Sequence, residues 1–295
     1  MILPIKIQHS TELLNAVNLN SDLTWWALDG DDDGYVLYIE DDGNIVAQTS
    51  IRIRPISLEN QVFHIAHLGH HIVHPLYRKQ GMFKRILLKS EEICLNHNVD
   101  GIFVTPNAIS EPIYRSQGYS FNDPDGSCLF LINLNKHDIQ HEDRKLATLT
   151  KQEYFDQTSG FVRFHPLNQE AFIWRFSRPA LQYHFVAFQT NDGIVHIAFR
   201  EGTKGPIETN VLAEIFINGV KPPLSKIAAT TKSYLPKLLN IQSSKIIVQS
   251  TDVGNSIIGV DIYRNFPFAL KILNKNVSNL VKQLIYYQFT DSDFG

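Results

Sequence analysis

A glycine flanked by basic residues is the first feature of this chain that could do chemistry. Gly81 follows Arg78 and Lys79, precedes Lys84, and lies near the start of a helix predicted from the sequence. Backbone N–H groups at a helix start bind anions, and a glycine without a Cβ lets a phosphate approach the backbone closely. Residues 78–84 are therefore predicted to hold a phosphate group. The alternative is an ordinary strand-to-helix connection whose cations only face solvent.

Tyr114 is the first candidate for proton transfer. It lies in a predicted two-turn helix between Ser110, a suitable N-cap, and Gly118, a suitable C-terminal cap. A phenol can donate a proton, and Glu111 on the same short helix is a further candidate for acid–base chemistry. A tyrosine that merely packs on the helix is the alternative interpretation.

Histidines form a second group that could move protons. Five of them crowd one predicted strand and its end: His64, His67, His70, His71 and His74. Strand alternation predicts that His67 and His71 share one face and that the other three share the opposite face. One that faces a cleft could accept a proton, but solvated or structural roles are equally compatible with the pattern. No carboxylate or cysteine completes a metal-binding set, so we predict no metal site.

A strand, a turn and a helix must position these residues. Residues 62–73 are predicted to form a strand ended by Pro75, which cannot donate to a β-ladder. From residue 78 onward, apolar residues recur at roughly helical spacing: Met82, Phe83, Ile86, Leu87, Ile93 and Leu95. A hairpin within residues 35–54 precedes this unit and a buried strand at 101–105 follows it. A further strand at 128–134 is predicted to close the first half.

Two sequence signatures resemble those of the GNAT superfamily of N-acetyltransferases. The acetyl-CoA signature of that family is Arg or Gln, two residues, Gly, one residue, then Gly or Ala, after a strand that ends in Val-x-Pro. The first match is Val73-His74-Pro75 followed by residues 78–83, in which Phe83 replaces the final small residue. The second signature is matched by Asn107, Tyr114, Gly118 and Tyr119. Two signatures in the right order are far more specific than either alone.

The resemblance implies a mixed α+β fold with a mostly antiparallel central sheet flanked by helices, and acetyl-CoA as co-substrate. It implies that backbone groups of Ile72, Val73 and His74 pair with the pantetheine arm. It further implies that the pyrophosphate is held by Arg78, Lys79, Gln80, Gly81, Met82, Phe83 and Lys84, and that Asn107 touches the cofactor. Tyr114 would face the sulfur and act as the acid, since tyrosine (~10) and thiol (~8.5) pKa values lie close together.

One departure concerns the base. The family often carries a glutamate on the strand before the Asn, whereas this strand carries Ile102, Phe103 and Val104. A histidine acting through water could substitute, and so could the acidic C-terminal tail with Asp291 and Asp293. The acceptor implied by resemblance is a small primary amine, first an amino sugar or a nucleotide amino sugar. Rival hypotheses are a non-catalytic acyl-CoA-binding or regulatory module and an acyltransferase that acts on a peptide amine.

The second half repeats the element order of the first, so we predict domains at 1–138 and 139–295. The second would be a degenerate GNAT-like domain that contributes to the acceptor cleft, as in tandem members of the family; an unrelated α+β domain is the alternative. Residues 218–223 include Pro222 and Pro223 and offer too few N–H donors for a pyrophosphate. The second half should therefore not bind the cofactor.

Composition limits the partners. The 295 residues are 43% hydrophobic and 19% charged, with a net charge of −3. This balance argues against general binding to nucleic acid or to anionic membranes. Only Cys94 and Cys128 are present, without disulfide or zinc-finger spacing, and no segment has the length of a membrane helix. The aspartates at 29 and 31–33 favour a polar turn, and a cytoplasmic location is expected.

Overall fold

The computed structural model describes residues 2–5, 33–58, 61–121, 127–133, 146–161, 169–177, 181–204, 207–220, 222–238, 245–250, 260–266 and 269–277. The strands are β1 Ile2–Ile5, β2 Asp33–Asp41, β3 Asn44–Leu58, β4 Gln61–Val73, β5 Gly101–Val104, β6 Ser120–Phe121, β7 Ser127–Asn133, β8 Leu146–Leu149, β9 Tyr183–Thr190, β10 Gly193–Lys204, β11 Ile207–Ile217, β12 Lys245–Ser250, β13 Val260–Phe266 and β14 Ala269–Ile272. The α-helices are α1 Met82–Asn96, α2 Glu111–Ser116, α3 Lys151–Thr158, α4 Gln169–Arg175 and α5 Leu224–Leu238.

The first sheet has seven strands in the order β1-β2-β3-β4-β5-β14-β6. Its pairings are antiparallel except for the parallel pair β4–β5. The β2–β3 hairpin turns at Asp42 and Gly43, both of which have positive φ, as a tight hairpin turn requires. Helix α1 follows β4 and buries its apolar stripe, including Leu87, against Leu37 and Leu68 of the sheet.

The second sheet repeats this plan. Its order from the other edge is β8-β9-β10-β11-β12-β7-β13, with one parallel pair, β11–β12. Helix α5 connects β11 to β12 as α1 connects β4 to β5. The predicted mixed α+β fold with mostly antiparallel sheets is therefore confirmed. The duplicated strand order also supports the prediction that the second half repeats the architecture of the first.

The two sheets exchange one strand each. β7 pairs with β12 and β13 in the second sheet, and β14 pairs with β5 and β6 in the first. The prediction that residues 128–134 close the first half was therefore wrong, because strand alternation identifies a strand but not its partner. By contacts, one compact unit comprises Met1–Asn122 with Pro267–Leu284, and the other Asp123–Phe266 with Ile285–Gly295. Neither unit is contiguous, unlike the predicted division at residue 138.

A β-bulge in β4 sets the direction of its histidines. Gln48 pairs with Ile72 and Ser50 with Gly69, so Thr49 lies opposite two β4 residues. His70 occupies the bulge with a φ of 52°, in the left-handed region. The extra residue interrupts the alternation, so His67 and His71 point to opposite faces rather than to the same one. That part of the sequence prediction was wrong.

The fourth strand of each sheet separates from the fifth along its length. β4 pairs with β5 only over residues 65–68 and then continues for five residues, and β11 pairs with β12 only at Asn210 and Val211. β11 also carries an extra residue opposite β10, since Ala198 pairs with Glu214 and Phe199 with Leu212. Both halves therefore share a bulged fourth strand that diverges from its parallel neighbour.

The described residues contain neither a membrane-spanning helix nor a cluster of metal-binding side chains. Within the ranges given above, no helix is long and apolar enough to cross a bilayer. Among the same residues, no group of three or more His, Cys, Asp or Glu side chains is placed to hold a metal ion. Cys94 is a buried free thiol whose pKa is raised to about 12, chiefly by burial.

Candidate active site

The connection from β4 to α1 is shaped by two residues with positive φ. Pro75–Tyr77 form one 3-10 turn, after which Lys79 has a φ of 63° and Gly81 a φ of 76°. Gly81 is the N-cap of α1, so the helix begins at Met82. The sequence had suggested an earlier start, with Gly81 inside the first turn. A Cβ built at Gly81 would meet nothing within 4 Å. The glycine is therefore required by its backbone conformation, and open space lies beside it.

The first turn of α1 presents backbone donors without a capping side chain. Gly81 makes no side-chain cap, and the N–H groups at a helix start have no intrahelical acceptors. The first turn of this fully described helix carries no acidic residue, while Lys84 and Arg85 are exposed on it. An anion placed here would meet N–H donors, the positive end of the helix dipole and flanking cations. The predicted phosphate site is thus compatible with the local geometry.

The remaining residues of the first signature surround that turn. The Arg78 guanidinium donates from Nε to the Val73 carbonyl at 3.3 Å, and the Gln80 amide donates to the Leu76 carbonyl at 3.2 Å. His74 caps the 3-10 turn, since its Nδ1 accepts from the Leu76 N–H at 3.3 Å. These contacts fasten the loop to the end of β4. Ile72 and Val73 lie in the segment of β4 that has diverged from β5.

Tyr114 lies close to the start of α1, inside an aromatic cluster. Its side chain is 2% exposed, and its ring packs edge-on against Phe83 at a centroid distance of 5.6 Å and against Tyr119 at 5.0 Å. Its hydroxyl lies 3.1 Å from Nδ1 of His71. His71 in turn stacks on Phe83 with centroids 4.8 Å apart. The structure therefore brings together the tyrosine, one histidine and the residue that departs from the first signature.

Burial controls the protonation of this cluster. Desolvation raises the pKa of the Tyr114 hydroxyl, so the phenol is protonated at neutral pH. Desolvation, with a smaller contribution from the charge of His70, lowers the pKa of His71 to about 3, so its imidazole is neutral. His71 Nε2 is buried and has no hydrogen-bond partner in the described part of the chain. The cluster thus holds one neutral acid beside one neutral imidazole.

Asn107 of the second signature and Glu111 of α2 both make structural contacts. The Asn107 side-chain oxygen accepts from the N–H groups of Ile109 and Ser110, each at 3.0 Å, and so organises the turn before α2. Any cofactor contact from this exposed side chain would have to come from its amide nitrogen. Glu111 is paired with Arg115, Nη2 to Oε1 at 2.8 Å, on the outer side of α2. Tyr114 is the residue of α2 that is buried.

The other histidines are distributed around β4. His67 stacks on Phe103 with centroids 4.1 Å apart, on the face opposite Tyr114, and burial lowers its pKa well below the usual value. His70 lies with Nδ1 3.2 Å from the Ser50 hydroxyl oxygen. His64 is exposed at the beginning of the strand. Of the five histidines, His71 is the one hydrogen-bonded to Tyr114 in the described residues.

Residues 20–122 match the acetyltransferase (GNAT) domain family. A search of curated protein sequences gives no significant match. Among solved structures, the chain resembles a GCN5-related N-acetyltransferase from Anabaena variabilis, with 15% identity, a TM-score of 0.63, and coverage of 93% of this chain and 73% of that one. It also resembles a tandem GNAT protein from the clavulanic acid biosynthesis pathway, with 12% identity, a TM-score of 0.62, and coverage of 92% and 98%.

A third similar structure is a protein from Enterococcus faecalis described as a probable N-acyltransferase. It is 12% identical, with a TM-score of 0.61 and coverage of 93% of this chain and 73% of that one. At these identities the structural likeness establishes the fold. Together with the domain match, it confirms the resemblance predicted from the two signatures.

Proposed function

We propose that this chain, which contains a GNAT acyltransferase domain over residues 20–122, transfers an acetyl group from acetyl-CoA to a primary amine. The observation that carries the proposal is the position of the Tyr114 hydroxyl. It is buried beside the first turn of α1, which offers backbone donors and cations for a pyrophosphate. A phenol and a helix start with backbone donors and nearby cations thus lie in one compact unit, which supports the proposal that this unit binds a CoA thioester.

Different residues of this unit would bind the pyrophosphate and the pantetheine arm of acetyl-CoA. The N–H groups at Gly81, Met82, Phe83 and Lys84 would hold the pyrophosphate, with Arg78 and Lys79 adding positive charge. The diverging segment of β4 with Ile72 and Val73 would bind the pantetheine arm through its backbone. Acetyl-CoA supplies an activated acyl group when bound. The protein contributes placement of the thioester near Tyr114 and a protonated phenol at that point.

Tyr114 would donate its proton to the departing sulfur as the amine displaces it. The raised pKa keeps the phenol protonated in the free protein. Because it also makes the phenol a weaker acid than a thiol, donation to sulfur requires that the phenolate be stabilised by a neighbouring donor. His71, with a pKa of about 3, is too weak a base to take the proton of the attacking ammonium. We therefore assign no base to His71 and leave Tyr114 as the proposed catalytic residue.

The acceptor is proposed as a small amine, and an amino sugar or nucleotide amino sugar is the first class to screen. A peptide amine is the second class. The rival of a non-catalytic acyl-CoA-binding module predicts cofactor affinity without turnover.

Titration calorimetry and a turnover assay with Tyr114→Phe test the proposal. We expect the wild type to bind acetyl-CoA and transfer acetyl to an amine. Tyr114→Phe should retain the dissociation constant and lose about 100- to 10,000-fold in kcat, the usual value of general acid catalysis. The control is Tyr35→Phe, which removes a hydroxyl 2.9 Å from Nε2 of His97 in the same unit. Absence of acetyl-CoA binding by the wild type would overturn the proposal.

A further inference from the structure

The hydrogen bond between Tyr114 and His71 assigns a role to the histidine that neither sequence signature includes. This step rests on the proposed function, in which Tyr114 is the acid. The Tyr114 hydroxyl and His71 Nδ1 are 3.1 Å apart, with the two rings nearly perpendicular at 88°. A neutral imidazole has one N–H, so either Nδ1 donates to the tyrosine oxygen or the tyrosine donates to Nδ1.

The two arrangements have opposite consequences for catalysis. If Tyr114 donates to Nδ1, its proton is engaged and the buried Nε2–H is a donor without an acceptor. If Nδ1–H donates to Tyr114, Nε2 is a bare acceptor, and the phenol proton is available for a ligand. Buried donors without acceptors are rarer in proteins than acceptors without donors. Since Nε2 has no partner in the described residues, the second arrangement is favoured.

We infer that His71 is a positioning residue that donates from Nδ1 to the Tyr114 oxygen, directs the phenol proton toward the acyl-transfer site and stabilises the phenolate formed there. In the step, the amine nitrogen forms a bond to the acetyl carbon as the C–S bond breaks, and the electron pair of the C–S bond takes the Tyr114 proton to form S–H. The phenolate that remains accepts a hydrogen bond from His71 Nδ1–H, which keeps its proton. The acylated nitrogen loses one proton to solvent, and solvent returns one to Tyr114.

Phe83 completes this arrangement. It stacks on His71 at an interplanar angle of 27° and meets Tyr114 edge-on, so it restrains the imidazole ring from one side. A small residue, as in the family signature, would leave that side of His71 open. The large residue at position 83, where the family signature has a small one, and His71 therefore act together: Phe83 holds the imidazole that contacts Tyr114. The bulge at His70 turns His71 toward Phe83 and Tyr114.

The experiment compares the wild type, His71→Leu, Tyr114→Phe and the double variant. Release of the CoA thiol is followed during transfer to D-glucosamine and during slow hydrolysis of acetyl-CoA by water, which needs proton donation to sulfur but no acceptor. We expect His71→Leu to lower kcat about 10- to 100-fold, the value of one hydrogen bond to a charged group, with little change in acetyl-CoA affinity. The double variant should be no slower than Tyr114→Phe alone.

Two further variants separate positioning from folding. His71→Asn keeps a side-chain N–H near the position of Nδ1 and should recover kcat to within about fivefold of the wild type. His97→Leu removes the corresponding histidine from Tyr35 and should leave kcat unchanged. Nitrogen-15 NMR of labelled histidine, assigned by the loss of a signal in His71→Asn, should show His71 protonated on Nδ1.

The outcomes are distinct. Wild-type protein that neither binds acetyl-CoA nor releases thiol overturns the proposed function and this inference with it. Wild-type turnover combined with multiplicative losses in the double variant, or with an Nε2-protonated His71, overturns the inference alone. Turnover with non-additive losses, rescue by asparagine and an Nδ1-protonated imidazole supports both.

Discussion

The connections from β4 to α1 and from β11 to α5 occupy equivalent places in the two sheets but differ in chemistry. The first ends in Gly81, an N-cap with open space around it. The second turns tightly at Asn218 and Gly219 and closes on itself, with Ile217 N–H donating to the Val220 carbonyl at 2.8 Å. Pro223, the residue before α5, has no N–H to offer. The two connections thus occupy matching places in the strand order, but among the described residues open space beside a left-handed glycine N-cap is found in the first.

Buried polar groups differ in the same way. In the second unit, Glu214 is 2% exposed and accepts from Tyr154 at 3.3 Å, with Arg175 Nη1 3.5 Å away. In the first unit, His71 leaves Nε2 without a partner in the residues described. A carboxylate with partners of this kind stabilises a core, whereas an incompletely satisfied imidazole beside a phenol is suited to chemistry.

The largest effect is expected from filling the space beside the first connection. Gly81→Trp should weaken acetyl-CoA binding at least about 100-fold, a loss of about 2.7 kcal/mol, because the indole would occupy the pyrophosphate site. Gly43→Trp is the matched control, with a φ of 77° and no atom within 4 Å of its Cβ position. Both should lose about 1 kcal/mol of stability through left-handed strain. Calorimetry and thermal melts measure the two effects; equal affinities would remove the cofactor from this site.

An intermediate effect is expected from pH. The pKa of His71 is lowered to about 3 in the folded state from an unfolded value of 6.5, so below pH 6.5 the unfolded chain binds more protons. The free energy of unfolding should therefore fall as pH drops from 6.5 toward 3, by up to about 1.4 kcal/mol per pH unit for this group. Denaturant unfolding at pH 7, 6 and 5 should show a shallower decline for His71→Asn. His67 should add a similar slope, since its pKa is also lowered.

The smallest effect is expected at two lysines in matching positions. Lys84 and Lys226 are each the third residue of their helices, α1 and α5. Lys226 is paired with Asp192 at 3.2 Å, in the connection that we expect not to bind the cofactor. Lys84→Ala should raise the dissociation constant for acetyl-CoA about two- to fivefold at low salt, and less at high salt. Lys226→Ala should leave it unchanged; a similar loss in both would show a nonspecific charge effect.

The sequence predicted the elements well and their partners less well. The hairpins, α1, α5 and the strand at 245–250 follow from period-2 and period-3.6 patterns, which are local. The exchange of β7 and β14 could not be predicted, because pairing between distant strands depends on packing. Ala269 is fully buried in the first core, and Lys271 forms an ion pair with Glu91 of α1 at 2.6 Å, contacts that join residues about 180 apart.

The candidate site shows the same limit. The glycine and lysines in residues 78–84 were enough to predict a phosphate site at the first turn of α1. The spacing between Asn107 and Tyr114 was enough to identify Tyr114 as the candidate acid. The pairing of His71 with Tyr114 was missed because simple alternation assigned His71 to the face of His67. A bulge adds one residue and leaves little trace in sequence. Phe83, the one departure in the first signature, was the available signal, since a large residue in a small site needs a packing partner. Asp29 of the predicted polar turn, and Asp291 and Asp293 of the acidic tail, lie outside the described residues.

The late strand β14 has a consequence for synthesis on the ribosome. β5 ends at Val104, whereas its neighbour β14 ends at Ile272. Roughly 170 residues must therefore be translated before the first sheet can close, which takes about 8–34 s at about 5–20 residues per second. During that interval the nascent chain carries β5 as an open, apolar edge able to pair with other chains. We expect the first sheet to be completed only after the intervening residues, including most of the second sheet, have been translated.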